Sequence, residues 1–235
     1  MKILVLAGGV GSRLKSVVSD VPKALAPIGG VPFLHLQLEA WIEQGAKSFV
    51  FLLGYRADLI LAFLHKYEST LLNGCEVRYV IETTPLNTGG AVAFAVSELS
   101  LTGDFLLVNA DTWLGNGYKI ISSSKGPAVG VLEVPDTSRY GQIEFDERML
   151  ITRFSEKSEK RRPGWINSGI CRLNTEYFSN WDGHPFSLEN RTLVELVNKR
   201  LLKAITLDTS FIDIGIPDDY HKFCQWIESG RKGEL

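Results

Sequence analysis

The sequence predicts an α/β fold whose strands form a mostly parallel sheet. Short apolar runs with strand character alternate with longer segments of helical periodicity, which is the pattern of β-α-β units. In the helical segment 34–44, the side chains of Leu34, Leu38, Trp41 and Ile42 share one face, as expected for a helix that covers a sheet. At 235 residues, the chain has the length of one such domain, and we expect a single domain over 1–235.

The predicted elements follow in order along the chain. The strands are 3–7, 49–53, 77–82, 105–109, 128–134 and 166–173, and the helices are 34–44, 58–68, 90–99, 193–201 and 218–228. Polar and apolar residues alternate over 142–146, a charged pair follows, and 149–154 is again strand-like. This segment predicts a β-hairpin set on the sheet.

Composition excludes several classes of protein. The net charge is −2, with 22% charged residues, so no overall field favours nucleic acid or an anionic membrane. The chain has no apolar run near the ~18 residues of a membrane span, and its first apolar run is too short for a signal peptide. The three cysteines lack the spacing of a disulfide framework or a zinc site. We therefore expect a cytoplasmic protein without nucleic-acid or membrane partners.

The most informative motif follows the first predicted strand. The run from Gly8 to Arg13 reads Gly-Gly-Val-Gly-Ser-Arg, and Lys23 stands shortly afterwards between Pro22 and Pro27. Glycines let backbone N–H groups close around phosphates, and Arg and Lys supply positive charge at neutral pH. These residue types predict a nucleoside triphosphate site, although the glycines alone would also suit a tight turn after a strand.

Two better-known glycine motifs do not match. The dinucleotide fingerprint requires a third small residue where Leu14 stands, so a nicotinamide-dependent oxidoreductase is disfavoured. The P-loop requires a Lys directly after its last glycine, and Ser12 follows Gly11 here.

The run from Leu6 to Leu14, together with Pro22-Lys23 and the segment from Pro27 to Pro32, resembles the signature of the sugar-1-phosphate nucleotidyltransferases (NDP-sugar pyrophosphorylases). The segment between these motifs is most similar to the branch that activates D-glycero-α-D-manno-heptose 1-phosphate with GTP. The resemblance implies a Rossmann-like three-layer αβα fold of the GT-A-like kind. Its β-hairpin insertion would form the sugar side.

Two acidic residues follow apolar runs and suit a metal ion. Asp111 ends the run 105–109, where open α/β sheets bind ligands and where a carboxylate can hold Mg²⁺ against a triphosphate. A turn or helix-capping role is the plainer alternative. The resemblance matches Asp111 to the metal ligand of an N-G-D motif, with Ala110 in place of glycine. It matches Asp213 to the second ligand, in a D-x-G-x-P motif.

The resemblance also implies the remaining site residues. Asn87 replaces a usual glycine in the segment that faces the base, and Asn tolerates a left-handed backbone. Catalytic roles fall on Arg13, Lys23, Asp111 and Asp213. The nucleotide-binding residues are Leu6, Ala7, Gly8, Gly9, Gly11, Ser12, Arg13, Lys23, Glu82, Pro85, Thr88, Gly89, Gly90, Asn109 and Asp111. The sugar-phosphate residues are Gly141, Glu156, Lys157, Asn167 and Gly169, with Lys157 on the phosphate.

The expected reaction is nucleotidyl transfer from a nucleoside triphosphate, by resemblance GTP, to a sugar 1-phosphate, by resemblance the manno-heptose. It releases pyrophosphate and yields GDP-heptose for a surface polysaccharide (capsule, lipopolysaccharide or S-layer glycan). Mannose 1-phosphate, or another hexose or amino-sugar 1-phosphate, stays open as an alternative substrate. An inactive nucleotide-sugar sensing module is the alternative from another class. A homodimer is common in the family and stays open.

Overall fold

The computed structural model describes residues 1–155, 161–232 and 235. Its strands are β1 (Lys2–Ala7), β2 (Pro27–Ile28), β3 (Val31–Pro32), β4 (Ser48–Leu53), β5 (Glu76–Ile81), β6 (Asp104–Asn109), β7 (Thr112–Leu114), β8 (Ala128–Val134), β9 (Gln142–Phe145), β10 (Ile151–Ser155), β11 (Gly164–Asn174), β12 (Lys203–Thr206) and β13 (Phe211–Asp213). Its α-helices are α1 (Phe33–Glu43), α2 (Ala57–Lys66), α3 (Asn87–Glu98), α4 (Gly117–Ser122), α5 (Val194–Asn198) and α6 (Pro217–Glu228).

Contacts divide the chain into two compact units. Unit 1 contains residues 1–85, 108–118 and 209–235, and unit 2 contains residues 86–107 and 119–208. Strand β6 contributes residues to both units. The prediction of a single nucleotidyltransferase domain over 1–235 stays a prediction.

Unit 1 is built on parallel strands. Val5 of β1 pairs with Phe51 of β4, and Phe51 pairs with Tyr79 of β5. Helices α1 and α2 connect these strands in the manner of β-α-β units. Three consecutive residues of β1, from Ile3 to Val5, are fully buried, which is typical of a parallel strand covered on both faces. The parallel sheet predicted for this part of the chain is confirmed.

A short antiparallel ribbon completes unit 1. In it, β7 pairs with β13, so that Trp113 lies opposite Ile212 and Thr112 lies opposite Asp213. Trp113 and Ile212 belong to a buried cluster with Phe33 at the start of α1 and Phe223 of α6. Because this cluster holds the ribbon in place, Asp213 lies beside the turn that carries Asp111.

Unit 2 contains both antiparallel and parallel strand pairs. Strands β8 and β11 are antiparallel, while β12 runs parallel to β8. Strands β9 and β10 form the predicted hairpin. Its turn is held by Asp146, whose Oδ1 accepts hydrogen bonds from the N–H groups of Arg148 and Leu150, both at 3.0 Å.

The observed boundaries agree with the predicted strands and helices to within a few residues, with one shortened helix. The segment predicted as helix 193–201 is α-helical only over α5: a π-helical turn, Glu189–Leu193, precedes it, and the chain leaves the helix after Asn198, with Arg200 at φ +54°. The small elements β2, β3, β7, α4, β12 and β13 were not predicted. Among the described residues, no helix is both long enough and apolar enough to cross a membrane.

Candidate active site

The glycine loop begins where β1 ends, against the ends of two neighbouring strands. The N–H of Tyr55 donates to the carbonyl of Gly8 at 3.1 Å. A Cβ atom on Gly8 would lie 2.9 Å from Glu82 Oε1, and one on Gly54 would lie 2.8 Å from the same oxygen. The Glu82 carboxylate therefore packs directly on two glycine backbones, and no larger residue fits at either position without a shift.

Arg13 is presented to solvent by a short 3₁₀ turn, Ser12–Leu14. Gly11 precedes it in the left-handed region, with φ +65°, and its carbonyl accepts a hydrogen bond from the Leu14 N–H at 3.1 Å. Leu14 is buried in the core, whereas Ser12 and Arg13 are exposed. The apolar anchor on one side of the turn thus leaves the Arg13 guanidinium available to an anionic ligand.

Lys23 reaches from its own turn, Lys23–Leu25, past the glycine loop to Asp111. Its Nζ lies 3.1 Å from Asp111 Oδ2, and the Lys23 side chain is 15% exposed. A Cβ on Gly11 would lie 2.6 Å from Lys23 Cγ, so the lysine stem runs directly beside the loop. The direct contact between Lys23 and Asp111, two residues predicted for separate roles, was not foreseen.

The turn carrying Asp111 is held by its backbone. The N–H of Ala110 donates to the carbonyl of Leu6 at 3.1 Å, and the N–H of Ile214 donates to the carbonyl of Asp111 at 3.0 Å. The side chain of Gln37 donates to two more carbonyls in this turn. Alanine at position 110 is buried and fits where the family motif has glycine.

Asp213 supplies a second carboxylate at the same place. Burial and then the neighbouring Asp111 carboxylate raise the pKa of Asp213 above its ordinary value of 3.8. The N–H of Gly215, which donates to Asp213 Oδ1 at 2.7 Å, and the charges of Lys23 and Arg13 act in the opposite direction. Two adjacent carboxylates that repel each other are a donor set that suits a hard divalent cation. The described residues contain no cluster of three or more His, Cys, Asp or Glu side chains, so water and phosphate would complete such a site.

In unit 2, the segment at the start of α3 is held by a strap of residues 185–189. Asn87 has φ +60°, so it adopts the left-handed backbone that asparagine tolerates. The N–H groups of Gly89 and Gly90 donate to the carbonyl of Phe186 at 3.0 and 3.1 Å. Thr88 Oγ1 donates to Glu189 Oε2 at 2.8 Å and accepts a hydrogen bond from the Leu188 N–H at 2.9 Å, so the strap binds this side chain.

The structure describes three of the five residues predicted to bind the sugar phosphate. Gly141 directly precedes β9, while Asn167 and Gly169 lie at an irregularity of β11. Asn167 Oδ1 accepts a hydrogen bond from the N–H of Gly169 at 2.9 Å, and Gly169 has φ +81°. Glu156 and Lys157 lie outside the described residues.

The structure thus brings together Lys23, Asp111 and Asp213 in unit 1, close to the loop from Gly8 to Gly11. Four further residues predicted to bind the nucleotide also belong to unit 1. Leu6 and Ala7 are the last residues of β1, Asn109 is the last residue of β6, and Pro85 ends the segment 1–85. Sequence reasoning missed Gln37 and the strap. A single Gln within a helix and a Pro-Phe pair in a loop carry no spacing signal that would single them out.

The chain is similar in sequence to known guanylyltransferases. The chain is 32% identical over 225 residues to D-glycero-α-D-manno-heptose 1-phosphate guanylyltransferase of Campylobacter jejuni, covering 95% of this chain and 98% of that enzyme. It is 32% identical over 229 residues to mannose-1-phosphate guanyltransferase of Kluyveromyces lactis, covering 94% of this chain but only 63% of that longer protein.

Solved structures agree with this similarity. The crystal structure of HddC from Yersinia pseudotuberculosis has a TM-score of 0.84 at 34% identity, covering 96% of this chain and 99% of that one. A second HddC structure, complexed with GMP-PN, has a TM-score of 0.81 at 33% identity and the same coverage. The predicted three-layer α/β class is confirmed. The family model for nucleotidyl transferases matches residues 2–230, and the chain belongs to that family.

Proposed function

We propose that this protein transfers a guanylyl group from GTP to D-glycero-α-D-manno-heptose 1-phosphate, forming GDP-heptose and pyrophosphate. The observation that carries the chemistry is the contact of Lys23 with Asp111, beside Asp213 and the glycine loop. The choice of substrates rests on the heptose enzyme of C. jejuni, which this chain matches over nearly the full length of both proteins.

The reaction needs little proton chemistry from the protein. A phosphate oxygen of the sugar 1-phosphate, already an anion, attacks the α-phosphorus of GTP. The bond from that phosphorus to the bridging oxygen breaks, and pyrophosphate leaves with the bonding electron pair. No general base is required, so catalysis consists of positioning and charge stabilisation.

We assign different phosphates of the nucleotide to the two cationic side chains. Arg13, exposed at the tip of its turn, would bind the β- and γ-phosphates with the backbone of the loop and stabilise the leaving pyrophosphate. Lys23, which is mostly buried, would neutralise charge at the α-phosphate. Because Lys23 already contacts Asp111 at 3.1 Å, its position is fixed before the nucleotide binds.

Asp111 and Asp213 are proposed to hold Mg²⁺. The cation would supply charge neutralisation at the α-phosphate when bound. The support is the donor set itself, since the repulsion and burial that raise the pKa of Asp213 are relieved by a cation between the two carboxylates.

The remaining predicted residues complete the proposal. Glu82, Pro85 and the segment Thr88–Gly90 are assigned to the nucleotide. Because the N–H groups of Gly89 and Gly90 already donate to Phe186, contacts to the base fall to other groups of this segment. Gly141, Asn167 and Gly169 are assigned to the sugar, along with Glu156 and, for its phosphate, Lys157.

By the same resemblance, we propose that the product supplies a surface glycan such as a capsule, lipopolysaccharide or S-layer polysaccharide. The protein is proposed to work in the cytoplasm, and a homodimer, common in the family, stays open. Sedimentation of the purified protein tests the last of these points.

Mannose 1-phosphate is the second candidate acceptor. It is favoured by the 32% identity to the K. lactis mannose enzyme, but the shorter share of that protein covered by this chain favours the heptose.

The test is pyrophosphate release with Mg²⁺, crossing GTP, ATP, CTP, UTP and dTTP with heptose, mannose, glucose and amino-sugar 1-phosphates. We expect release with GTP and the manno-heptose phosphate. Release with another pair would keep the reaction and replace the substrates. Nucleotide binding without release from any pair would instead support the sensing module.

A further inference from the structure

The buried side chain of Gln37 contacts the backbone on both sides of Asp111. Gln37 lies on α1 and is 1% exposed. Its Nε2 donates to the carbonyl of Thr112 at 2.8 Å and to the carbonyl of Asn109 at 3.3 Å. One amide nitrogen thus bridges the last residue of β6 and the first residue of β7, and the turn between them carries Asp111.

This arrangement costs free energy, because one polar atom of Gln37 is buried without a hydrogen bond among the described residues. Gln37 Oε1 is buried and accepts no hydrogen bond among the described residues. An unsatisfied buried oxygen costs about 1–3 kcal/mol, and this cost offsets part of the stability that the two hydrogen bonds from Nε2 contribute. The compensating benefit is confined to two carbonyl groups, those of Asn109 and Thr112, which flank the Asp111 turn.

We propose that Gln37 is a positioning residue that sets the geometry of Asp111 relative to Asp213 and Lys23. This inference rests on the proposed function and deepens it. The N–H of Ala110 is fixed on Leu6, and the Asp111 carbonyl is fixed by Ile214. Gln37 restrains the carbonyls of Asn109 and Thr112. Residues that orient a metal-binding side chain typically change metal affinity or activity by about 10- to 100-fold when replaced.

The chain offers a matched control in Gln44, directly after the same helix. Gln44 Nε2 donates to the carbonyl of Gly115 at 2.8 Å, and Gly115 directly follows β7. Replacing either glutamine by methionine removes a side-chain hydrogen bond to a backbone carbonyl at one end of β7. Only the Gln37 bonds adjoin Asp111.

The experiment compares Gln37→Met, Gln44→Met and the unmodified protein. Both variants are expected to unfold at lower denaturant concentration. Only Gln37→Met is expected to lower kcat about tenfold and to weaken binding of Mn²⁺ alone about tenfold, measured from the EPR signal of free Mn²⁺. The KM for the sugar 1-phosphate should change less than about twofold in both variants, since neither contacts that substrate.

Wild-type kcat and Mn²⁺ affinity in a folded, destabilised Gln37→Met protein would overturn the inference. If this variant does not fold, Gln37→Asn serves instead, because it keeps a buried amide that is one methylene too short to bridge both carbonyls. Failure of both to fold, while Gln44→Met folds, would also overturn it in favour of a structural role. If the unmodified protein releases no pyrophosphate, the proposed function fails, but the Mn²⁺ affinities still decide the role of Gln37.

Discussion

Replacing Gly11 by alanine should damage the site through Lys23. A Cβ at this position would lie 2.6 Å from Lys23 Cγ and 2.9 Å from Lys23 Cε, where ordinary contacts begin at 3.4 Å. The clash involves the root of the lysine stem, so the whole side chain must move by the better part of an ångström. Its Nζ then leaves Asp111 Oδ2, now 3.1 Å away.

Two effects are expected to lower the free energy of unfolding of Gly11→Ala. The left-handed backbone, with φ +65° at Gly11, costs about 1–2 kcal/mol for any residue with a Cβ. Losing the charge-assisted bond of Lys23 costs about 1.5–3 kcal/mol. We expect the free energy of unfolding to fall by about 3 kcal/mol. If Lys23 is also misplaced in the transition state, kcat/KM should fall about 10- to 100-fold.

Gly74→Ala separates the two costs. Gly74 has φ +78° and open space where a Cβ would stand, so it carries the backbone strain without a clash. Urea unfolding followed by tryptophan fluorescence should show a loss of about 1–2 kcal/mol for this control. Its kcat/KM for pyrophosphate release should be unchanged. Equal kcat/KM values for Gly11→Ala and Gly74→Ala would refute the argument that the loop positions Lys23.

Three further predictions concern the charged residues of the site. Asp111→Asn should lower kcat at least about a hundredfold in a folded protein, because a carboxylate proposed to hold Mg²⁺ is lost; steady-state pyrophosphate release measures this. Arg13→Ala should cause a similar loss and weaken GTP binding, measured by calorimetry, because charge-assisted phosphate contacts disappear. Asp213→Asn should raise the Tm of the metal-free protein at pH 7 while abolishing turnover. Since the folded pKa of Asp213 is raised, its ionised form destabilises the fold at neutral pH, and this cost falls as the pH drops through the raised pKa towards 3.8. The Tm advantage of Asp213→Asn should therefore shrink on acidification.

Each of these expectations has an opposite outcome. Near-normal turnover in folded Asp111→Asn would remove the metal assignment. Unchanged GTP affinity in Arg13→Ala would show that the loop does not bind the triphosphate. A lower Tm for Asp213→Asn at pH 7 would mean that the interactions of the ionised carboxylate with Gly215, Lys23 and Arg13 outweigh its burial and the repulsion from Asp111.

The sequence predicted those parts of the fold that rest on continuous local patterns. Every residue of β1 from Ile3 to Ala7 is apolar, and such a run predicts a strand buried on both faces. The alternation over 142–146 predicted one strand of the hairpin in the same way. Asn87 could be assigned a left-handed backbone, since few other residues accept it.

The elements that the sequence did not reveal depend on partners distant in the chain. Strands β7 and β13 have three residues each, too few for any periodicity, and they form because Trp113 and Ile212 share one buried cluster. The Lys23–Asp111 contact joins residues 88 positions apart. In the sequence, Gln37 is an ordinary helix residue, and only the structure shows that its amide lies between the carbonyls of Asn109 and Thr112.

The ribbon of β7 and β13 has a consequence for how the enzyme is made. Unit 2 is complete once residue 208 has been synthesised, whereas unit 1 waits for residues 209–235. Domains fold during translation as their residues emerge, so the second carboxylate joins the first only after all residues of unit 2 have been synthesised. A nascent chain halted before residue 209 holds Lys23 and Asp111 but lacks Asp213, one of the two carboxylates proposed to hold Mg²⁺.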